Sequence, residues 1–258
     1  IFSAKASKNK DNLVKNILLA GLTGGMFDAV ILAQKDEKYS AKAITIDNAE
    51  ELLKAKDAPF IRTKIISPLL DAIDQGKRKI AFVGLPCQVR AARKVQQTLQ
   101  QEIPGLDITL IGLFCRHSFD PQLLSKEIKK ILGIDINQAE DLMMVDDSFI
   151  VKMNSQDFSC SLNQLDKVIE AGCRYCNDFP SNFADLAIGS EGSIPGFYTV
   201  VVRTPKGASL VKMADLTKGK TEKEKIASYS EFKKKRAKDQ IDPILKEVIN
   251  QRTKRWTK

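Results

Sequence analysis

"IAFVGLPCQ", Ile80 to Gln88, and "ITLIGLFCR", Ile108 to Arg116, are near-copies of one another: an apolar run, then Gly-Leu, one further residue and a cysteine. Each run has the length and content of a buried strand. The first passes into "QVRAARKVQQTLQQ", rich in helix formers. The second precedes "DPQLLSKEIKKILG", which opens on Asp-Pro and closes at Gly133. Strand, helix, strand, helix at this spacing predicts an α/β fold, an open sheet, largely parallel or mixed, with flanking helices.

The flanks extend the pattern. Asn12 to Leu22 reads as a helix that stops near Gly24-Gly25, and "MFDAVILAQ" as a buried strand ending at Gln34. "NAEELLKAK" from Asn48 has an Asn cap and acidic residues in its first turn. "SPLLDAIDQG" repeats that logic, with Pro68 after Ser67 and Gly76 closing the helix. In open α/β sheets the functional crevice lies outside the carboxyl ends of the strands. Cys87 and Cys115 fall just past two such ends, so neighbouring parallel strands would aim both thiols into it. Two buried structural cysteines would look the same at this point.

Length and charge set the bounds. A chain of 258 residues is one large domain or two small ones, with a substantial core. No stretch has the length of a membrane span, which leaves peripheral membrane association open. The start at Ile1 rather than Met points to an upstream portion, and Lys5, Lys8 and Lys10 interrupt any signal-peptide core. Five cysteines, an odd and unevenly spaced set, argue against a secreted disulfide scaffold and for a reducing, cytoplasmic compartment. Much of the +9 formal charge sits in the stretch from Glu222 to Lys258, expected as one or two solvated helices. It lacks the interleaved aromatics of RNA-recognition modules, so no nucleic acid is expected. The boundary is placed after residue 216, with 217–258 a basic helical tail for partner contact.

The remaining cysteines point to metal chemistry. "EAGCRYCNDF" puts Cys173 and Cys176 in a Cys-x-x-Cys turn whose sulfurs can converge on one centre. With Cys87 and Cys115 they supply enough thiolates for zinc or an iron–sulfur cluster. Zinc ribbons usually take two short-spaced pairs, whereas a cluster spreads its ligands more freely. The glycines before Cys87 and Cys115 would also let backbone amides approach its sulfides. Cys160, in "QDFSCSLNQ", reads as a small buried strand residue. A catalytic Cys173–Cys176 disulfide lacks the thioredoxin-like context. His117, the one histidine, is expected as a hydrogen-bonded surface residue or as support behind the ligands rather than a ligand or proton donor, and Ser-His-Asp chemistry is hard to build around it.

"FVGLPCQVRAARK", "IGLFC", "CRYCNDFPSNFADLAIGSEGS" and "GFYTVVVRTPKG", in this order, resemble the beta subunits of coenzyme F420-reducing hydrogenases and formate dehydrogenases. F420H2 dehydrogenase input subunits and the electron-input half of F420-dependent sulfite reductase belong to the same family. The likeness runs from "IFSAKAS" to about Leu210. It implies FAD, a 4Fe–4S cluster on Cys87, Cys115, Cys173 and Cys176, and F420 as substrate. It also implies partner subunits of hydrogenase, formate dehydrogenase or another electron-transfer complex. A flavin converts between the hydride chemistry of F420 and the single electrons of a cluster. F420 is polyanionic, which suits the basic balance of the chain.

The resemblance further implies an FAD site around Gly189, Ser190, Gly192, Ser193 and Gly196, where small residues allow close backbone approach. On sequence alone a glycine-rich turn joining strands is the commoner reading of this stretch. Ser3, Lys5 and Arg203 are candidates for phosphate or flavin contact. Asp178 and Asp185 would bond flavin or ribose, or cap local turns. Arg62 and Lys64 would anchor an anionic tail, or are surface charges. Two features depart from the family: "NKDNLVKNILLAGL" runs through without an Asp-Gly-Gly type loop, and no ferredoxin-like cysteine segment precedes the domain. The alternatives are a ferredoxin-linked reductase of the same family and a non-catalytic, zinc-stabilised adapter.

Overall fold

The computed structural model describes residues 1–7, 12–36, 40–56 and 62–256, with side chains as far as residue 249. Among these the chain lays down β1 (Phe2–Ala6), α1 (Leu13–Thr23), β2 (Ala29–Lys35), β3 (Ala41–Ile46), α2 (Ala49–Lys54), α3 (Ile66–Asp74), β4 (Lys79–Gly84), α4 (Pro86–Leu99) and β5 (Asp107–Leu113). There follow α5 (Pro121–Leu132), β6 (Asp141–Val145), β7 (Ser148–Met153), β8 (Gln156–Ser161), α6 (Ala171–Arg174), β9 (Leu186–Gly189), β10 (Tyr198–Val202), α7 (Pro205–Met213), β11 (Leu216–Gly219) and α8 (Lys223–Trp256).

Eight strands form one mixed sheet in the order β11-β1-β10-β9-β5-β4-β2-β3. Its centre is parallel, β9 to β5 to β4 to β2, and every other pairing in it is antiparallel. Central strands of such a sheet are covered on both faces, which is why they read as continuous apolar runs. In β4, Ala81 and Val83 join the core beneath α1, α2 and α7, whereas Ile80 and Phe82 join the core beneath α3 and α4. A third core, built on Phe119, Leu124, Phe149 and Leu165, holds α5 against the small antiparallel sheet β6-β7-β8.

Helix starts follow the local chemistry. Asn12, Asn48 and Asp120 each accept, through side-chain oxygens, a backbone N–H at 2.9 Å in the first turns of α1, α2 and α5. Gly133 takes φ +73° at the end of α5, a conformation that favours glycine. The expected Ser67 start of α3 is displaced: the helix begins at Ile66, and Ile65 before it makes no side-chain cap. The expected division after residue 216 falls inside β11, which pairs with β1 as a strand of the main sheet. The stretch that lacks an Asp-Gly-Gly loop lies partly outside the described residues. No helix among the described residues is long and apolar enough to cross a membrane.

Candidate redox site

The two sequence near-copies lie side by side in space. Strands β4 and β5 pair in parallel from Ile80↔Ile108 to Gly84↔Gly112, the same alignment that matches their residues. Cys87 therefore enters the first turn of α4 beside the segment carrying Cys115. The glycines serve packing rather than amide exposure: a Cβ on Gly112 would stand 2.3 Å from Cβ of Ser181, and one on Gly84 would meet the Phe82 ring at 2.8 Å. The Cys115 amide donates to the Phe179 carbonyl at 3.1 Å, which joins the segment after β5 to the residues following the Cys-x-x-Cys turn. The Ser118 amide reaches that turn directly, donating to Cys173 Sγ at 3.3 Å.

The four thiols share one electrostatic neighbourhood. Burial pushes the Cys115 thiol up to about 12; Lys233 opposes this, and Cys173, Cys87 and Cys176 add to it. Cys87, exposed at the rim, is also raised, first by the protein crowding it and then by Cys176 and Cys173, while Arg62 favours its thiolate. Thiols that oppose one another's ionisation need a cationic partner to become ligands together. Among the described residues, no three or more His, Cys, Asp or Glu side chains are arranged to hold a single metal ion.

Helix α8 closes over this neighbourhood, which corrects the expectation of a solvated tail. Ile226 and Ala237 are buried, and Lys233 is only 2% exposed. The Lys233 ammonium donates to the carbonyls of Cys115 (2.9 Å) and Asp178 (2.8 Å) and to Cys176 Sγ (3.3 Å). One turn on, Arg236 donates to the carbonyls of Cys173 (2.8 Å) and Arg116 (3.3 Å). The Arg116 guanidinium lies 3.9 Å from the Tyr229 ring centre and also donates to the Tyr229 hydroxyl and the Asp146 carbonyl. Phe114, Phe179 and Tyr229 continue this as a file of rings 5.2 and 5.3 Å apart.

His117 departs from its expected place. It is buried, packs edge-on against Phe119 at 4.8 Å, and has no hydrogen-bond partner on either ring nitrogen. Burial pushes its pKa down to about 3, helped by Arg236, Lys233 and Arg116, so the imidazole is neutral. Arg203 Nη1, Arg236 Nε and Ser181 Oγ are likewise buried without a hydrogen-bond partner, and Arg116 Nε has only the Glu191 carboxylate at 3.7 Å. Donors short of acceptors, beside four thiols and a buried ammonium, fit an anionic guest such as a thiolate-bound cluster.

Against the first turn of α4 lies an apolar cavity of about 230 Å³. Its walls come from the carboxyl ends of the parallel strands (Leu32, Ala33, Val83, Leu113) and the start of α1 (Leu13, Leu18), with Tyr198 and Gln88. Gln88 adjoins Cys87, so the cavity and that thiol share the first turn of α4. The expected FAD residues do not line it; sequence reading missed it because its walls are ordinary core residues until the sheet is assembled.

The other expected contacts are placed as follows. Arg62 pairs with Glu170 at 3.1 Å on the rim of the thiol site, and Lys64 is exposed. Asp178 accepts from the Asn182 amide at 3.0 Å, and Arg203 donates to the Pro180 carbonyl at 2.8 Å nearby. Asp185 is engaged within the fold, accepting from the Leu110 amide (2.8 Å) and the Thr204 hydroxyl (3.0 Å) and pairing with Arg93 (3.1 Å). The Ser3 hydroxyl meets Ser193 Oγ at 2.6 Å and Thr221 Oγ1 at 2.9 Å, fixing the glycine-rich loop to β1 away from the cavity. Lys5 lies over the Phe197 ring at 5.0 Å. Gly189 abuts the Phe114 ring, and Gly192, at φ +82°, packs against the Glu222 carbonyl, which leaves no room for a side chain. Ser190 and Gly196 are exposed.

The same architecture is found in a solved structure. A solved structure of the F420-reducing NiFe hydrogenase complex from Methanosarcina barkeri, studied by xenon derivatization, contains a chain that superposes with a TM-score of 0.85 at 22% identity. The match covers 94% of this chain and 90% of that one. The chain belongs to the coenzyme F420 hydrogenase/dehydrogenase family: the model for the C terminus of the beta subunit matches residues 77–229. It is 31% identical over 235 residues to a coenzyme F420-dependent sulfite reductase of Methanocaldococcus jannaschii, a match covering 86% of this chain and 37% of that protein. It is 26% identical over 216 residues to a subunit of the F420H2 dehydrogenase of Methanosarcina mazei, covering 80% and 61% respectively. The chain thus spans roughly a third to three fifths of the length of these two relatives.

Proposed function

We propose that the chain is the flavin and iron–sulfur subunit of an F420-linked oxidoreductase complex, with Cys87, Cys115, Cys173 and Cys176 as ligands of a 4Fe–4S cluster. The observation that supports this reading is the electrostatic coupling of four thiols, two of them just past the carboxyl ends of β4 and β5, with Lys233 of α8 bonded to Cys176 Sγ and Arg236 to the Cys173 carbonyl, in a chain of this family. The chemistry supplied by the bound groups is hydride exchange between F420 and FAD, followed by single-electron transfer through the cluster to or from partner subunits. The protein's own contribution is positioning. Leu13, Leu18, Leu32, Val83 and Leu113 offer a flat ring system a water-poor slot. Gln88 is held by two bonds, accepting from the Leu85 amide at 2.8 Å and donating to the Thr63 carbonyl at 3.0 Å, so the wall shared with Cys87 is fixed. Arg62 at the rim adds positive charge where an anionic tail would lie.

For partners, we assign a second subunit of such a complex to the distal half of α8. There Ile241, Ile244, Leu245 and Val248 form an exposed apolar row at helical spacing. The test is anaerobic reconstitution of the full chain, with iron, acid-labile sulfide, zinc and flavin measured on one sample. Reduced F420 is then added and flavin bleaching followed. Iron and sulfide in cluster ratio with flavin that bleaches is the expected result; zinc without flavin overturns the reading.

A further inference from the structure

Helix α8 carries two cations into the thiol site, and neither forms an ion pair with a carboxylate among the described residues. Lys233 is the sharper case. An ammonium this deeply buried is costly to desolvate, and two carbonyl oxygens and a sulfur compensate its charge only in part. Arg236 donates to carbonyl oxygens and lies 5.7 Å from the Phe232 ring centre, and its Nε has no hydrogen-bond partner. Lys233 meets Cys176 Sγ and the Cys115 carbonyl, and Arg236 meets the Cys173 carbonyl. A fold gains from such an arrangement when negative charge occupies the space between.

Resting on the function proposed above, we propose that Lys233, seconded by Arg236, is a positioning residue that sets the reduction potential of the group bound by the four cysteines. Its ammonium lies against a ligand sulfur in a water-poor site, where Coulomb interactions are weakly screened. Reduction adds one electron, which a mediator dye supplies in the assay. No bond to Lys233 forms or breaks, and its proton stays in place. The added negative charge is stabilised by the fixed positive one, so Lys233 favours the reduced form. Net charge and hydrogen bonds to the sulfurs are established means of tuning such potentials.

The experiment is a mediator-coupled redox titration of the anaerobically reconstituted full chain, read by electron paramagnetic resonance, with iron content measured on each sample. Lys233→Met keeps the stem and removes the charge. It should shift the reduction equilibrium at least tenfold towards the oxidised form, a midpoint about 59 mV more negative for a one-electron couple. Lys233→Arg should stay within about threefold of the parent, since the charge is kept. Arg236→Gln should shift in the same direction as Lys233→Met by a smaller factor. Lys233→Met with full iron and the parent midpoint overturns the proposal. Should Lys233→Met fail to hold iron, Arg236→Gln decides: a more negative midpoint supports the proposal, a parental one overturns it. A parent chain that takes up no iron–sulfur cluster rejects the proposed function and this inference with it. A loaded parent whose potential ignores both charges rejects the inference alone.

Discussion

Cys173 and Cys160 are close in sequence and differ in what surrounds them. Cys173 Sγ accepts the Ser118 amide next to the other site thiols, whereas Cys160 is buried in β8 opposite Phe149. Cys173→Ser is expected to cut iron well below the roughly four per chain of a full cluster. Cys160→Ser should leave iron unchanged and lower stability by about 1 kcal/mol, because its hydroxyl is buried in an apolar cluster. Iron assay and urea midpoint on both variants check this, and equal iron loss from the two would refute the ligand assignment. Cysteine type and spacing made the thiol neighbourhood legible in the sequence. Asp185 and Ser3 were less so, because a buried polar residue reads the same whether its partner is a ligand or the backbone. Here the partners include Arg93, the Leu110 amide and Ser193. Asp185→Ala should accordingly cost about 3 kcal/mol by taking the carboxylate from Arg93 and the acceptor from the buried Leu110 amide. A urea midpoint close to the parent's would contradict that role.

Helix α8 shows why an element can be legible while its role is not. Its helix formers and charges announce a helix, and the helix is there. Its docking stripe is Ile226, Tyr229, Lys233 and Ala237, regularly spaced for one helix face. With a lysine at its centre and an alanine at its end, that stripe gives no hydrophobic signal, so composition suggests a solvated tail. The buried half and the exposed half should separate experimentally. A chain ended after Lys238 should keep its urea stability within about 0.5 kcal/mol, since residues 239–249 include no buried side chain. A chain ended after Glu222 loses the cover over Cys115, and labelling of that thiol by a maleimide in the metal-free protein should speed up by roughly tenfold or more. Equal labelling rates for the two truncated chains would mean that α8 does not protect the site.

At the scale of the whole molecule, the parallel centre of the sheet was readable because β4 and β5 are each followed directly by a helix, α4 and α5. The antiparallel edges were not, because β1 finds β10 and β11 from the far end of the chain and no local pattern records such a pairing. The cavity is invisible in sequence for the same reason: it exists only where α1 crosses the ends of β2, β4 and β5. That origin gives it a separable role. Ala33 lines the cavity from β2, whereas the cysteines approach from β4, β5 and the turn at α6. Ala33→Phe should fill part of the space at a cost of about 1–3 kcal/mol in packing. The reconstituted variant should lose bound flavin while keeping parental iron and sulfide, measured by visible absorbance and chemical assay on the same sample. Retained flavin would place the flavin site elsewhere on the fold, and the loop fixed by Ser3 and Ser193 would become the next surface to alter. Loss of iron together with flavin would show that the cavity and the thiol site form one cooperative unit joined through the first turn of α4.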